Sequence, residues 1–307
     1  MDTKESKITG YFAQKSDLDP VDFPIGIGDD MAQMRFGGLD SALITTDMLL
    51  DGTHFDTNIH SLEDIGYKSM AASLSDCASM ATIPFAAVAA VALPLDFSSN
   101  DLKKLHSGII KSGDMFGCKL IGGDITSWSI PEGKLAVNIT MLSKPAKTEP
   151  VRRSTAQIGD AVCVTGFLGG SLEGKHICFV PRVREALEIA RIAKPTAMMD
   201  ISDGISTDLT HLTRLSNVGA ELEEKLIPIS SAAMQKNNPL QAALNDGEDF
   251  ELLFTLSPAD YENLKTNWNM ETPISRIGTI TRQGLTIKLK SGKLENIKPS
   301  GFDHMKD

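Results

Sequence analysis

The chain has 307 residues, 41% of them hydrophobic and 23% charged, enough for two compact domains that each bury a core. A formal net charge of -10 argues against a nucleic-acid backbone or an anionic membrane as the main partner. No apolar run approaches the roughly 20 residues of a membrane span. The first residues, MDTKESKITGYF, lack the apolar core of a signal peptide, and a cytoplasmic location is expected. Cys77, Cys118, Cys163 and Cys178 are scattered, without a CxxC pair, and read as reduced thiols, mostly buried.

Pro20 and Pro24 punctuate residues 1 to 24, which read as a short helix or arm followed by loop. The next stretch, from Ile25 to Phe55, holds adjacent carboxylates at Asp29 and Asp30. It continues through a strand over Ser41 to Leu49 that carries Thr45, Thr46 and Asp47, and then Gly52-Thr53-His54. Alternation puts Leu43, Thr45 and Asp47 on one strand face, where a carboxylate among buried neighbours needs a partner. Ser61 to Ala81 is the clearest helix, with Ser61 and Asp64 as capping residues. Its apolar stripe includes Tyr67, Met70, Leu74 and Cys77, and Asp76 falls opposite. From spacing alone, Asp76 is a solvated helix carboxylate.

Pro84 to Leu95 reads as a strand buried on both faces, and Asp101 to Phe116 as a second amphipathic helix. A further strand from Lys119 stops at Gly122-Gly123-Asp124, and another covers Leu135 to Leu142. Lys144 to Arg153 marks a boundary, dividing the chain into domains of residues 1–145 and 146–307. The second half opens with a strand over Ala161 to Thr165. It is followed by GFLGGSLEGKH, in which Gly169, Gly174 and Lys175 match the start of a P-loop. His176 then replaces the Ser or Thr whose hydroxyl would hold Mg²⁺, so a glycine-rich turn into a helix is expected instead. After a helix over Arg182 to Ala193 comes MMDISDGISTD with Asp200, Ser202 and Asp203, then a helix, and a strand over Gly219 to Leu226. NDGEDFELLFT supplies Glu248 and Asp249 on a turn before a strand, and helix, strand and hairpin follow. Alternating helices and strands in each half predict two mixed α/β domains.

Acidic residues thus stand at five turns or strand ends: Asp29/Asp30, Asp47, Asp124, Asp200/Asp203 and Glu248/Asp249. Hard oxygen ligands in such numbers, without HExxH, GxSxG or metal-spaced histidines, point to Mg²⁺ with phosphates. Merely acidic surface loops are the alternative reading.

In order along nearly the whole chain, GIGDDMAQM, ITTDMLLDGTHF, YKSMAASLSDCASM, LIGGDIT, RRSTAQIGDAVCVTGFLGGS, DISDGISTDL and NDGEDFELLFT resemble the thiamine-monophosphate kinase family. That family belongs to the superfamily of aminoimidazole ribonucleotide synthetase and selenide water dikinase. The resemblance implies a dimer whose N-terminal sheets join into a barrel-like core, with each C-terminal α/β domain beside it. It implies ATP as co-substrate, several Mg²⁺ ions, and thiamine monophosphate as phosphoryl acceptor. Asp30, Thr45, Thr46, Asp47, Asp76, Asp124, Asp200 and Asp203 match metal positions. Gly123, Asp124, Arg153 and Ser202 match nucleotide contacts. His54, Glu248 and Phe302 match substrate contacts. Asp246 stands where the family has glycine, a change expected to tighten that turn, and His106 is the nearest ring to an aromatic nucleotide contact not evident here. The rival is another ATP-dependent reaction of the same superfamily.

Overall fold

The computed structural model describes residues 10, 13, 14, 18–36 and 41–302. The arm expected over residues 1 to 24 falls largely outside them. The first sheet holds β1 (Ala32–Arg35), β2 (Ser41–Leu50), β3 (Ile83–Leu93), β4 (Lys119–Ser127) and β5 (Ala136–Lys144), in the order β1-β2-β5-β3-β4. All its pairs are antiparallel except β3 with β4, whose parallel pairing requires a crossover. Helix α2 (Ser99–Asp114) provides it, and α1 (Leu62–Ser79) precedes β3.

The second sheet is built from β6 (Ala161–Thr165), β7 (Ala197–Asp200), β8 (Gly219–Glu223), β9 (Leu252–Leu256), β10 (Ile274–Thr281), β11 (Leu285–Lys288) and β12 (Leu294–Asn296). Their order is β12-β11-β8-β10-β6-β9-β7. Helices α3 (Lys175–Cys178), α4 (Val183–Ile192), α5 (Ile205–Leu215), α6 (Pro239–Asn245) and α7 (Pro258–Asn267) join these strands. No helix among the described residues is long and apolar enough to cross a membrane. All four cysteines are free, and only Cys178 is exposed.

Helix α1 begins where its cap predicts: Ser61 Oγ accepts the Asp64 N–H at 3.1 Å. Its surroundings differ from the sequence expectation. Instead of one apolar stripe and a wet face, the helix is buried on nearly every side, including Lys68, Ser69, Ser73 and Ser75. One core joins Leu43, Ile139 and Met141 of the first sheet to Met70 and Leu74 of α1. The same core continues through Ile189 of α4 and Phe254 of β9. The face assigned to solvent is therefore turned toward the second half of the chain. Such a contact leaves no local periodic trace.

The crossing of α1 with α2 depends on two glycines. A Cβ on Gly66 would sit 2.0 Å from the Leu105 carbonyl oxygen, and one on Gly108 would sit 1.8 Å from that of Glu63. Both clashes are with backbone, so the helices themselves would have to separate. Gly108→Ala should lower stability by about 1–3 kcal/mol or more, the usual cost of overpacking. Thermal unfolding measures it, and an unchanged midpoint would contradict the tight crossing.

Three strands depart from expectation. β3 is buried on one face only, with Phe85 and Val88 exposed on the other, because nothing among the described residues covers that side. β4 does not stop at Gly122-Gly123-Asp124 but continues through them to Ser127. Gly123 is needed for strand packing, since a Cβ there would lie 1.9 Å from the Ala89 carbonyl oxygen. β8 ends at Glu223, and a 3-10 turn takes over the residues predicted to extend it.

Candidate active site

Four segments meet where α1 packs against the end of β7. The turn before β1 supplies Asp29 and Asp30, β2 supplies Thr45 and Asp47, α1 supplies Asp76, and β7 ends at Asp200. Oxygens of Asp30, Asp76 and Asp200 all lie within 4.8 Å of one another. Serines and threonines hold the carboxylates in place. Ser73 Oγ donates to Asp47 at 2.5 Å, Ser75 Oγ to Asp200 at 2.6 Å, and Thr45 Oγ1 to Asp76. Ser73, Ser75 and Asp76 come from one helical turn, so α1 acts as the spine of the cluster. Arg153 grips Asp30 through Nε at 2.7 Å and through Nη2, while its backbone N–H donates to Asp29 at 2.7 Å.

Grouping so many acids has an electrostatic cost. Burial, followed by the charges of Asp47, Asp200 and Asp30, pushes the Asp76 carboxyl well above the ordinary carboxylate range. Burial and then Asp30 raise Asp200 to about 7, against the hydrogen bond from Ser75. Burial likewise raises Asp47. The cluster is a place where positive charge is wanted. It lies on the wall of an open cleft of about 980 Å³, which Ser202, Asp203, Phe250 and Phe302 also line.

The other expected site residues divide into three groups. Ser202, Asp203 and Phe302 share the cleft with the cluster, and the Phe302 N–H donates to the Asp203 carbonyl at 3.1 Å. Thr46 also borders it but points to the opposite sheet face, bonding Thr140 at 3.0 Å and Asn138 at 2.9 Å. His54 and Glu248 meet at a second place, near the start of α1. There the His54 carbonyl and the Glu248 carboxylate share the ammonium of Lys68. Gly123 and Asp124 are apart from both, on exposed β4. Asp124 lies in register with Ala90, which pairs Asn138, which pairs Met48. It therefore stands on the open sheet face three strands from β2, about 14 Å away at strand spacing. His106 is on the exposed side of α2 and does not line the cleft.

The glycine-rich P-loop match has its amides already engaged. The Gly169 N–H donates to Asp249 at 2.9 Å, the Gly170 N–H to Asp246 at 2.9 Å, and Lys175 pairs with Glu251 at 2.8 Å. Asp246 thus secures the glycine-rich turn and pairs with Lys236, rather than tightening its own. The positive φ values of that turn belong to Gly247, Glu248 and Phe250.

Several residues of the site carry little signal in the sequence. Phe250 lines the cleft and stacks on Phe179 with centroids 3.9 Å apart. Asp208 is buried beside Asp203 and Asp200, and its Oδ2 has no hydrogen-bond partner among the described residues. Lys68 was hidden because a lysine in a helix reads as surface. Its only signal is position, two turns before Asp76.

Residues 28–144 match the AIR synthase related protein N-terminal domain, and residues 159–290 match the C-terminal domain of the same class. The fold and the acidic cleft thus define a two-part AIR synthase related protein. The chain belongs to the thiamine-monophosphate kinase family. It is 37% identical to the thiamine-monophosphate kinase of Rhodopirellula baltica over 294 residues, covering 91% of each chain. It is 30% identical to that of Bacillus subtilis over 308 residues, covering 92% of this chain and 94% of the other. A solved structure of AaThiL complexed with AMPPCP and TMP superimposes with a TM-score of 0.81 at 26% identity, covering 99% of this chain and 97% of that one. The Stenotrophomonas maltophilia thiamine-monophosphate kinase structure gives 0.72 at 29% identity, covering 92% and 94%.

Proposed function

We propose that the chain transfers the γ-phosphoryl group of ATP to thiamine monophosphate, giving ADP and thiamine diphosphate. The observation that carries this reading is the convergence of Asp30, Asp76 and Asp200 on the cleft wall. The donor set fits a hard divalent cation: carboxylate oxygens only, with hydroxyl donors on Asp76 and Asp200 and Arg153 on Asp30, and with burial and mutual repulsion still raising Asp76 and Asp200. Asp30, Asp76 and Asp200 would hold Mg²⁺, with Thr45, Asp47 and Asp203 around them, while the Thr46 side chain is turned to the other face of β2. When bound there, Mg²⁺ neutralises phosphate charge and aligns the donor with the acceptor.

The protein groups do the rest by positioning. Arg153, anchored on Asp30, and Ser202 are placed for nucleotide phosphates. The acceptor is a phosphate monoester, largely dianionic at neutral pH because its second pKa is about 6, so it needs no general base. His54 Nδ1 accepts the Leu50 N–H at 3.0 Å, which fixes the orientation of the ring offered to the substrate. Glu248 meets the cationic or amine-bearing ring, and Phe302 stacks on it.

The same reading includes a homodimer. One face of the first sheet is bare and apolar, with Met48 58% exposed, Phe85 43% and Val88 37%. β4 at its edge is exposed along nearly its whole length, an unpaired template of the kind proteins usually cover. A second copy closing on this face buries that surface. It also supplies a way for Gly123 and Asp124 of one copy to reach the cluster of the other, which they cannot do within a chain.

The direct test is ADP release by the purified protein with ATP and excess Mg²⁺, comparing thiamine monophosphate with free thiamine and identifying the product. Thiamine diphosphate should appear only with the phosphorylated acceptor. Silence from folded protein that still binds Mg-ATP would move the acceptor to the metabolites of the sister enzymes.

A further inference from the structure

Lys68 is only 1% exposed in the body of α1. Lysines are almost never buried this fully without a partner, and this one has two. Its Nζ donates to the His54 carbonyl oxygen at 2.5 Å and pairs with Oε2 of Glu248. The partners come from opposite halves of the chain, 14 and 180 residues away in sequence. Glu248 is itself held in the left-handed region at φ +54°, and its N–H donates to the Ser202 carbonyl at 2.6 Å. Lys68 thus secures the side chain while Ser202 secures the backbone.

We infer that Lys68 is a positioning residue, a clamp that sets His54 and Glu248 at a fixed place relative to the carboxylate cluster. The inference rests on the thiamine monophosphate reading above. Two turns further along α1 stand Ser75 and Asp76, about 12 Å away at 1.5 Å per residue. One rigid helix therefore carries both ends of the acceptor site: the phosphate end at Asp76 and the ring end at Lys68. Ala72 lies between them and lines the cleft, leaving room beside the helix. The clamp also conditions Glu248. Lys68 occupies Oε2, and no hydrogen bond among the described residues engages Oε1, which stays available to a ring amine of the acceptor. Burial raises the Glu248 carboxyl while the ammonium opposes that rise. Without Lys68, the half-buried carboxylate would lose the charge that pairs with it and would turn toward solvent.

The test is steady-state kinetics of the full chain with each substrate varied in turn. Lys68→Met should raise KM for thiamine monophosphate at least about tenfold, the scale of one charge-assisted hydrogen bond. KM for ATP should stay within about twofold, since Ser202, the nucleotide contact nearest the clamp, is held by the Glu248 backbone N–H, which the substitution leaves in place. Lys68→Arg, which keeps the charge, should restore most of the loss. A folded Lys68→Met enzyme with unchanged acceptor KM, or with both KM values raised alike, overturns the clamp. If that variant does not fold, Lys68→Met combined with Glu248→Gln removes both buried charges and carries the test. Because Lys68 also holds the His54 carbonyl, its acceptor KM should be at least that of Glu248→Gln alone with KM for ATP unchanged, and an acceptor KM at the wild-type value or a parallel rise in both KM values overturns the inference. Wild-type protein that neither turns over nor binds thiamine monophosphate would overturn the functional reading before any variant is compared, and the role of Lys68 with it.

Discussion

Asp76→Asn is expected to cut phosphoryl transfer by at least about 10²–10³-fold, the scale for removing one preorganised charge contact at a reacting centre. The same change should make the metal-free chain harder to unfold. Both effects have one cause. Asp76 is forced into a buried group with Asp47, Asp200 and Asp30, and each of those charges opposes its ionisation. An amide keeps an acceptor for the Thr45 hydroxyl and removes the repulsion. In chelator, the melting midpoint should rise by roughly 2–4 °C, the shift that about 1 kcal/mol makes in a domain near this size. Added Mg²⁺ should raise the wild-type midpoint more than that of the variant.

The pH dependence has a definite sign. Asp200 titrates near 7 in the folded chain but near 3.9 in an unfolded one. Between those values the folded state keeps a proton that the unfolded state has released. The contribution of Asp200 to metal-free stability is therefore present below about pH 4 and is lost as pH rises to about 7. Asp76, raised in the same direction, reinforces the trend. Mg²⁺ must displace these protons, so its stabilising effect should grow over the same window. Differential scanning fluorimetry at stepped pH, with and without Mg²⁺, measures both. A flat metal-free profile, or an Asp76→Asn protein that is active and no more stable, would refute the carboxylate cluster as a cation site.

Met48→Glu and Val88→Glu are expected to halve the mass of the particle in solution and to abolish transfer, without unfolding the chain. Both side chains are exposed on the bare face of the first sheet, so a lone chain accepts a carboxylate there at little cost. Inside a closed dimer the same carboxylate would be buried without a partner, at a cost of several kcal/mol. Activity falls with assembly because Asp124 lies on that face, three strands from the cluster of its own chain. Sedimentation and ADP release measured on one sample connect the two results. A monomeric variant with full activity would sever them, and a wild-type monomer would remove the dimer.

Much of the local structure was legible. Ser61 begins α1 because a side-chain oxygen next to an apolar run satisfies an orphan amide, which needs only neighbouring residues. The mixed helix and strand content of both halves follows from periodicity. The missing hydroxyl at His176 argued against a phosphate loop before the glycine amides were found on Asp249 and Asp246.

The arrangement of the site was not legible from spacing. Asp76 read as a surface carboxylate because its neighbours, from Thr45 to Asp200, belong to other segments of the chain that only the fold brings to it. Lys68 carried little signal in the sequence, because its two partners are brought to it by the fold. Gly123 and Asp124 looked like a strand end facing the metal. The sheet order carries them to the far edge, where Gly123 is needed for contact with Ala89. By itself, the sequence determined the caps, the strand and helix periods, and the supply of acidic turns, because these depend on atoms a few bonds or one turn apart. Only the tertiary structure decided which carboxylates meet, which face of α1 is buried, and which lysine joins two halves of the chain. Those outcomes depend on burial and charge between segments that the chain separates and the fold brings together.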